Sequence, residues 1–411
     1  MKKNLLLSLV IAFGCTVFAQ ETETFFIISG SVRNANTKAR IERVNIAAAG
    51  TDIGTISNEN GEFVLKISKN LNVSEIELSC LGYFNARFSI SQRNEAERIF
   101  LMQPRTIVLQ ELQVTAWKNP AALVQAAIER IDKNYSNVTN LFTAFYRETT
   151  QKRNKYINLS EAVMKIYKTE YTNRADLGRV EIMKGRKLIS QSAKDTLGIK
   201  LLGGPNMALM LDIVKNPDIL LDAEMIPFYN YKMEENVSIN DNLQFVVSFK
   251  PRAQFAHPLY EGKFYINTEN LAITRAEFDL DMSDKQKISD LILKTKPAGL
   301  RFTPEKLNYI VSYMPYDDRM CLNYIRADIK FKCDWRRRLF ATQYTICEEM
   351  FVTDREQGKI TKIPYQHAFK ESQSLSNEVS TFYDADFWGA YNIISPSESL
   401  ESAVKKLKNA E

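Results

Sequence analysis

The feature that most constrains this sequence is a strict alternation of apolar and polar side chains in short segments separated by turn residues. In residues 61–67, for example, Phe63, Leu65 and Ile67 fall on one side of an extended chain. Similar short segments occur throughout residues 24–103, and turns that contain Gly or Asn separate them. Short alternating strands at regular spacing therefore predict a β-sandwich over residues 24–103.

The rest of the chain repeats this pattern with longer strands. Six segments are predicted to be strands of one antiparallel sheet, at residues 244–250, 260–267, 273–282, 307–314, 322–332 and 338–350. Asp334–Trp335 is predicted to be the turn between the last two. We therefore expect a mainly β chain in which residues 104–120 are a linker. Residues 121–411 would form a larger, curved antiparallel β-sheet, with a half-barrel as one form of it.

Helices are predicted at three places in this second region. One begins at Pro120, where apolar residues follow at helical spacing. A helical insertion is predicted around residues 185–240, because Gly203–Gly204–Pro205 precedes a short apolar run. A C-terminal helix is predicted over residues 397–409, with a serine as N-cap and lysines in its last turn.

The first residues predict export. Lys2 and Lys3 precede an apolar run that is too short to span a bilayer, and small side chains flank a cleavage site after Ala19. This pattern indicates a signal peptide over residues 1–19 and a periplasmic or outer-membrane-associated protein. The alternative is a lipoprotein signal that uses Cys15. No later apolar run is long enough for a transmembrane helix.

Charge and cysteine content restrict the function further. Removal of Lys2 and Lys3 takes the formal charge from +5 to +5 − 2 = +3, which does not suggest a protein that binds nucleic acid. Four cysteines remain after the signal peptide, at Cys80, Cys321, Cys333 and Cys347. One disulfide among the last three and buried free thiols are both consistent with the sequence.

Four segments of the first unit resemble a known domain. Residues 28–32, 44–46, 54–63 and 80–83 are similar to the carboxypeptidase-D regulatory-like domain, which is common in envelope proteins of Bacteroidetes. The resemblance implies a prealbumin-like or immunoglobulin-like sandwich without catalytic residues. Residues 108–116 look like the segment that follows this domain in TonB-dependent transporters, but the prolines on both sides favour a last strand running into a linker.

The second region has resemblances of its own. Residues 145–148, 161–163 and 387–394 look like uncharacterised Bacteroidetes proteins that pair this region with the same regulatory-like domain. Residues 260–267 and 273–278 are similar to a hairpin of lipoprotein carriers with an open half-barrel. That second likeness implies a curved antiparallel sheet with an apolar concave side.

The sequence does not favour an enzyme. A zinc carboxypeptidase needs three ligands and a general base, whereas His257 and His367 are the only histidines and stand apart from any ligand cluster. No Gly-x-Ser-x-Gly elbow or phosphate-binding glycine loop is present. Glu148 and Glu161 are predicted to lie on the solvent or lumen face of the sheet. We therefore predict no catalytic residue, cofactor or metal ligand.

Two smaller motifs have residue types that occur in binding sites. Acidic and amide residues between positions 52 and 62 do not follow the order of an EF-hand and are explained by β-turns. Trp335 and the three arginines that follow it could meet lipid phosphate, and an exposed hairpin end explains them more simply.

Two functions remain. The first is a non-catalytic binding or scaffold protein of the cell envelope, whose ligand is a lipid or lipoprotein chain or whose partner is an outer-membrane protein. The aromatic residues that would line its apolar groove, unless they are core, are Tyr146, Phe249, Tyr260, Phe264 and Tyr265. The alternative is a carboxylate-dependent periplasmic hydrolase with two acids ~5–9 Å apart, for which the sequence names no pair.

Overall fold

The computed structural model describes residues 24–105, 117, 119–176, 178–190, 192, 199–201, 203–252, 255, 257–336, 340–356, 359–381 and 387–408. The chain is mainly β, with an N-terminal immunoglobulin-like sandwich and a large antiparallel sheet that does not close into a barrel. This confirms the predicted fold class. The predicted signal peptide, residues 108–116 and two of the three consecutive arginines lie outside the described residues.

The sandwich contains seven strands in two sheets. They are β1 (Phe25–Asn34), β2 (Asn45–Ala48), β3 (Gly54–Ile56), β4 (Glu62–Ser68), β5 (Glu75–Ser79), β6 (Ala86–Ser89) and β7 (Glu95–Met102). One sheet has the order β4-β1-β7 and the other β3-β2-β5-β6. Phe63, Leu65 and Ile67 all point into the shared core, as their alternation predicts.

The large sheet takes its strands from the rest of the chain. They are β8 (Asn140–Lys152), β9 (Lys155–Lys168), β10 (Arg179–Ile189), β12 (Tyr229–Met233), β13 (Val237–Ile239), β14 (Asn242–Pro251), β15 (Tyr260–Asn267), β16 (Ile273–Leu280), β18 (Leu300–Tyr316), β19 (Arg319–Trp335), β20 (Thr342–Glu356) and β21 (Ser380–Thr381). Their order is β12-β14-β15-β16-β18-β19-β20-β8-β9-β10-β21, with β13 paired beside β14. A separate pair joins β11 (Lys200–Leu201) to β17 (Leu293–Thr295).

The helices are short. They are α1 (Pro120–Glu129), α2 (Ile131–Asn134), α3 (Pro205–Met210), α4 (Lys285–Ile292), α5 (Leu375–Glu378) and α6 (Glu398–Lys408), with 3-10 turns at Pro217–Ile219 and Ala223–Phe228. Asn119 caps α1 by accepting a hydrogen bond from the Ala121 N–H. Among the residues that the structure describes, no helix has the length and apolar character to span a bilayer.

The large sheet is buried on both faces, and alternation along β8 shows which element covers each face. Phe142, Ala144 and Tyr146 point to a face that packs against helices, which we call the helical face. Phe145 and Arg147 point to the opposite face, where Phe145 packs in a cluster with a side chain of the first domain. We call this the sandwich face.

The helical face is filled by α1 and by residues 205–228. We call these two parts together the cover. Its apolar side chains pack into the main core, namely Leu123, Val124, Ala127, Ala208, Leu209, Ile213, Val214, Leu220 and Leu221. A buried ion pair fixes the cover to the sheet, since Lys168 Nζ lies 2.7 Å from Asp212 Oδ2 and both side chains are 0% exposed. The Tyr313 hydroxyl on β18 donates to the other Asp212 oxygen at 2.7 Å.

Two predicted boundaries were wrong. The helical insertion predicted around residues 185–240 is shorter, because β10 extends to Ile189 and Tyr229–Met233 pairs with β14 as a strand. Tyr229 and Tyr231 alternate correctly for a strand, a signal that the neighbouring proline and asparagine residues masked. The predicted turn at Asp334–Trp335 lies instead inside β19, where these residues pair with the start of β18.

The sandwich packs onto the large sheet through residues 387–398, which we call the bridging segment. Asn392 bonds the backbone of β4 twice, accepting from the Lys66 N–H at 2.7 Å and donating to the Lys66 carbonyl at 3.0 Å. Thr55 donates to the Ile393 carbonyl at 3.0 Å. On the other side, Trp388 packs edge-on against Phe145 of the sheet, with ring centroids 5.5 Å apart. The bridging segment therefore contacts both units.

Candidate functional site

A row of alternating charges crosses five neighbouring strands of the large sheet on its sandwich face. The residues stand directly opposite one another in register, from β10 to β19: Arg186, Glu161, Arg147, Glu349 and Arg326. Opposite charges at directly facing positions attract one another across a sheet. We call this row the charge ladder.

Close ion pairs connect the ladder residues in two groups, Arg186–Glu161–Arg147 and Glu349–Arg326. Glu161 accepts from Arg147 Nε at 2.7 Å and from Arg186 Nε at 2.8 Å, and it is 1% exposed. Arg326 donates to Glu349 at 2.8 Å and to the neighbouring Asp328 at 2.7 Å. Burial by itself would raise the pKa of Glu161, but the two guanidinium groups outweigh that effect and hold the pKa below its usual range. Glu161 is therefore charged at neutral pH.

Part of the ladder forms the floor of a cavity of about 240 Å³ between the sandwich and the large sheet. The sandwich contributes one wall through Glu42, Arg43 and residues 57–59. A second wall comes from the bridging segment and α6, through Ile394, Ser395, Ser397 and Leu400. The cavity therefore exists only when three distant parts of the chain have come together.

The remaining floor residues are polar and lie beside the ladder on β8, β20 and β19. Thr149, Cys347 and Asp328 stand opposite one another in the next row, and Thr345 lies in the row after that. Burial raises the pKa of the Cys347 thiol well above its usual value, so this thiol stays protonated. The arrangement offers hydroxyl and charged hydrogen-bonding groups, with an unreactive thiol among them.

Sequence reasoning missed the charge ladder. Arg147 and Glu349 are neighbours only through the pairing of β20 with β8, and the two strands are far apart in the chain. The available signal was the position of Phe145 and Arg147 two residues apart in an extended segment, which places both side chains on one face of the strand. Glu161 was predicted to face solvent or a lumen, and this was wrong because the bridging segment covers that face.

The aromatic residues proposed to line an apolar groove are core residues instead. Tyr146, Phe249 and Phe264 lie within the main core, and Phe249 and Phe264 stack at 4.4 Å. Tyr260 packs against the same core, and Tyr265 is buried on the other side of its strand. Because the cover occupies the helical face, the described residues leave no open apolar groove there.

Two glutamates on the helical face form a close pair that the sequence did not indicate. Glu148 on β8 stands directly opposite Glu348 on β20. Burial, the largest cause, raises the pKa of Glu148 to about 7 and that of Glu348 to about 8. The Gly204 N–H donates to Glu348, and a Cβ on Gly203 would lie 2.5 Å from Glu348 Oε1. The two glycines that precede α3 therefore lie directly against this pair.

The other residues considered as ligands lie in ordinary surroundings. Both His257 and His367 are on the surface. Asn58 accepts hydrogen bonds from the Asn60 and Glu62 N–H groups, each at 2.9 Å, so it organises a β-turn. The four described cysteines are free thiols. Within the described ranges, no group of three or more potential ligands could hold a metal ion.

Comparisons with solved structures give only remote similarity. A domain from Vibrio parahaemolyticus named for outer membrane lipoprotein sorting is 12% identical, with a TM-score of 0.30 over 58% of this chain and 93% of that one. A DUF1329 family protein from Desulfovibrio piger is 10% identical, with a TM-score of 0.22 over 57% of this chain and 94% of that one. No curated protein matches the chain.

The first unit has a firmer assignment. Residues 28–114 match the family described as the CarboxypepD_reg-like domain. This range contains the seven strands of the sandwich except for the first residues of β1. The N-terminal part of this chain is therefore a carboxypeptidase regulatory-like domain.

Proposed function

We propose that the protein is a non-catalytic binding protein of the cell envelope, and that it binds a small ligand in the cavity between the sandwich and the large sheet. The observation that carries the proposal is the convergence of charged and hydroxyl side chains from three parts of the chain around one void. Clefts at domain interfaces with a few converging polar groups are preferred sites of ligand binding.

The hydrogen-bonding state of the lining supports this choice. Thr149 and Ser395 are largely buried, and neither hydroxyl, nor that of Thr345, has a hydrogen-bond partner among the described residues. These three hydroxyls line the cavity, so a ligand or water within it can bond to them.

The envelope location is part of the proposal and rests on the export signal predicted over residues 1–19. An origin in Bacteroidetes and an outer-membrane partner stay predictions from the resemblance. A lipid or lipoprotein ligand is less well supported, because it would have to displace the cover and separate the buried pair Lys168–Asp212.

The test is native mass spectrometry of the full chain purified from its own envelope, scored for bound small molecules. We expect one ligand per chain, and we expect Thr345→Leu to remove it by filling the cavity. Thr303→Leu is the matched control, since Thr303 is a half-buried threonine of the large sheet that does not line the cavity. A chain that carries no small molecule, or a ligand that Thr345→Leu retains, would overturn the proposal.

A second candidate function is a carboxylate-dependent hydrolase, and the Glu148–Glu348 pair favours it. Hydrolysis of a glycosidic bond uses two carboxyl groups, one of which keeps its proton at neutral pH. The raised pKa values of Glu148 and Glu348 fit this requirement. The pair lies under the cover and outside the interdomain cavity. If the purified chain hydrolyses glycosides and Glu348→Gln abolishes this, the hydrolase replaces the non-catalytic proposal.

A further inference from the structure

We infer that the interdomain cavity binds a neutral polyhydroxylated ligand with the size of one sugar ring. This inference rests on the proposed function, since it names the class of ligand for the same cavity. It depends on the charges, the open hydrogen-bonding groups, the aromatic lining and the volume of the cavity.

The charges of the cavity are already compensated within the protein. Arg326 is bound by Glu349 and Asp328, and its guanidinium also lies 3.7 Å from Glu59 of the sandwich. Arg147 is bound by Glu161, whose other oxygen is held by a second arginine. A charged ligand would have to compete with these pairs and would leave one partner uncompensated in a buried site. A neutral ligand carries no such penalty.

The open groups require a ligand that can both donate and accept hydrogen bonds. Hydroxyls of Thr149, Thr345 and Ser395 line the cavity without protein partners among the described residues. Glu349 uses its Oε1 to accept from Tyr324 and Arg326, and no described group donates to its Oε2. A hydroxyl is a donor and an acceptor at once, so vicinal hydroxyls of a sugar can serve both kinds of group.

Tyr156 supplies the aromatic surface of the cavity. Its hydroxyl is engaged by Ser399 and Gln151, and burial is the main reason that its pKa is raised. With the hydroxyl held in place, the ring lines the cavity beside the polar floor. The C–H face of a sugar ring can pack against such an aromatic surface while its hydroxyls bond elsewhere.

The volume restricts the ligand to a small one. The cavity of about 240 Å³ is below the range of about 300–1,000 Å³ typical for drug-sized ligands. Glu42 and Glu59 at its rim are 43% and 56% exposed, so the cavity reaches solvent between the sandwich and the sheet. One sugar ring therefore fits better than an oligosaccharide.

The first experiment measures binding of neutral and charged sugars to the full chain by saturation-transfer NMR and calorimetry. The probes are the methyl glycosides of glucose, galactose, mannose and N-acetylglucosamine, together with glucuronate and glucosamine. We expect at least one neutral glycoside to bind, and the anionic and cationic sugars to bind at least about tenfold more weakly. Equal binding of a charged sugar, or no binding of any neutral glycoside, would overturn the inference.

The second experiment locates the site. Thr149→Val removes one open hydroxyl with little change in shape, and we expect it to weaken binding of the neutral glycoside at least about tenfold. Thr303→Val is the control outside the cavity and should bind like the wild type. Both variants must show the wild-type urea midpoint. Unchanged binding by Thr149→Val would contradict the assignment of the cavity.

The two proposals fail in different ways. If native mass spectrometry finds a ligand that depends on the cavity while every neutral glycoside fails, only the sugar inference is wrong. If neither a natural ligand nor a glycoside binds, both the sugar inference and the proposed function are wrong.

Discussion

Glu161 accepts hydrogen bonds from Arg147 and Arg186, and all three side chains are buried beneath the bridging segment. Removing one partner of a buried ion pair is costly because it leaves the remaining charge without compensation. We expect Glu161→Gln to lower the free energy of unfolding by about 3–5 kcal/mol, measured by urea denaturation. Glu181→Gln on β10, at a more exposed position, is the control and should change stability by less than about 0.5 kcal/mol.

The Glu148–Glu348 pair makes a prediction about pH. The ordinary pKa of 4.5 is raised to about 7 and about 8 in the folded chain, so the folded state binds protons more tightly than the unfolded state. The stability from this pair is therefore complete below the unfolded pKa and is lost as the pH rises toward the folded values. Wild-type stability should fall between pH 5 and pH 9 for this reason.

Glu348→Gln tests that prediction, since the amide cannot ionise but keeps an oxygen for the Gly204 N–H. Between pH 5 and pH 9 the variant should retain more than about 1 kcal/mol of the unfolding free energy that the wild type loses. Glu269→Gln, at an exposed position, should follow the wild-type profile. Parallel pH profiles for wild type and Glu348→Gln would show that the pair does not bind protons more tightly in the folded chain than in the unfolded chain.

At the scale of elements, the ion pair between Lys168 and Asp212 joins the cover to β9. We expect Asp212→Asn to cost about 3–5 kcal/mol, because the Lys168 side chain would lose its carboxylate partner in the core. Hydrogen exchange should show the loss of protection first in residues 205–221 and later in the large sheet. Asp218→Asn, exposed in the same part of the chain, is the matched control. Uniform loss of protection would contradict a local role.

The elements differ in how far their sequences predict them. β15 spans Tyr260–Asn267 as predicted, since its aromatic residues and the turn that follows both belong to the local sequence. β12 was missed because it has only five residues, and it is recognised as a strand through its pairing with β14. The charge ladder could not be predicted at all, because its order depends on the register of strands that are distant in sequence.

At the scale of the whole molecule, the sandwich and the large sheet are joined by the bridging segment. Asn392 makes two hydrogen bonds to the Lys66 backbone, so Asn392→Ala should lower the unfolding free energy by about 1–3 kcal/mol. We expect the sandwich and the sheet to unfold in one transition in the wild type and in two in this variant. Tryptophan fluorescence and circular dichroism followed in the same urea titration will distinguish these cases, and coincident transitions for the variant would contradict the expectation.

Whole-molecule packing also explains why the apolar-groove hypothesis was wrong for the described residues. An apolar groove and a packed core can both be lined by the aromatic residues of β14 and β15. The presence of Phe249 and Phe264 in the sequence therefore does not distinguish a groove from a core. The difference is made by residues 205–228, whose apolar side chains fill the space. The sequence of residues 205–228 predicts a short helix within irregular structure. No local pattern in it predicts which face of the sheet these residues cover.

The position of the bridging segment has a consequence for the order of biosynthesis. The strands that carry Arg147, Glu161 and Arg186 leave the ribosome long before residues 387–398, which later cover them. Until then a nascent chain exposes these three charges and the ring of Phe145, a surface suited to unwanted association. The dependence of the nascent chain on chaperones should therefore decrease once residue 398 has emerged, because the bridging segment can then cover this surface.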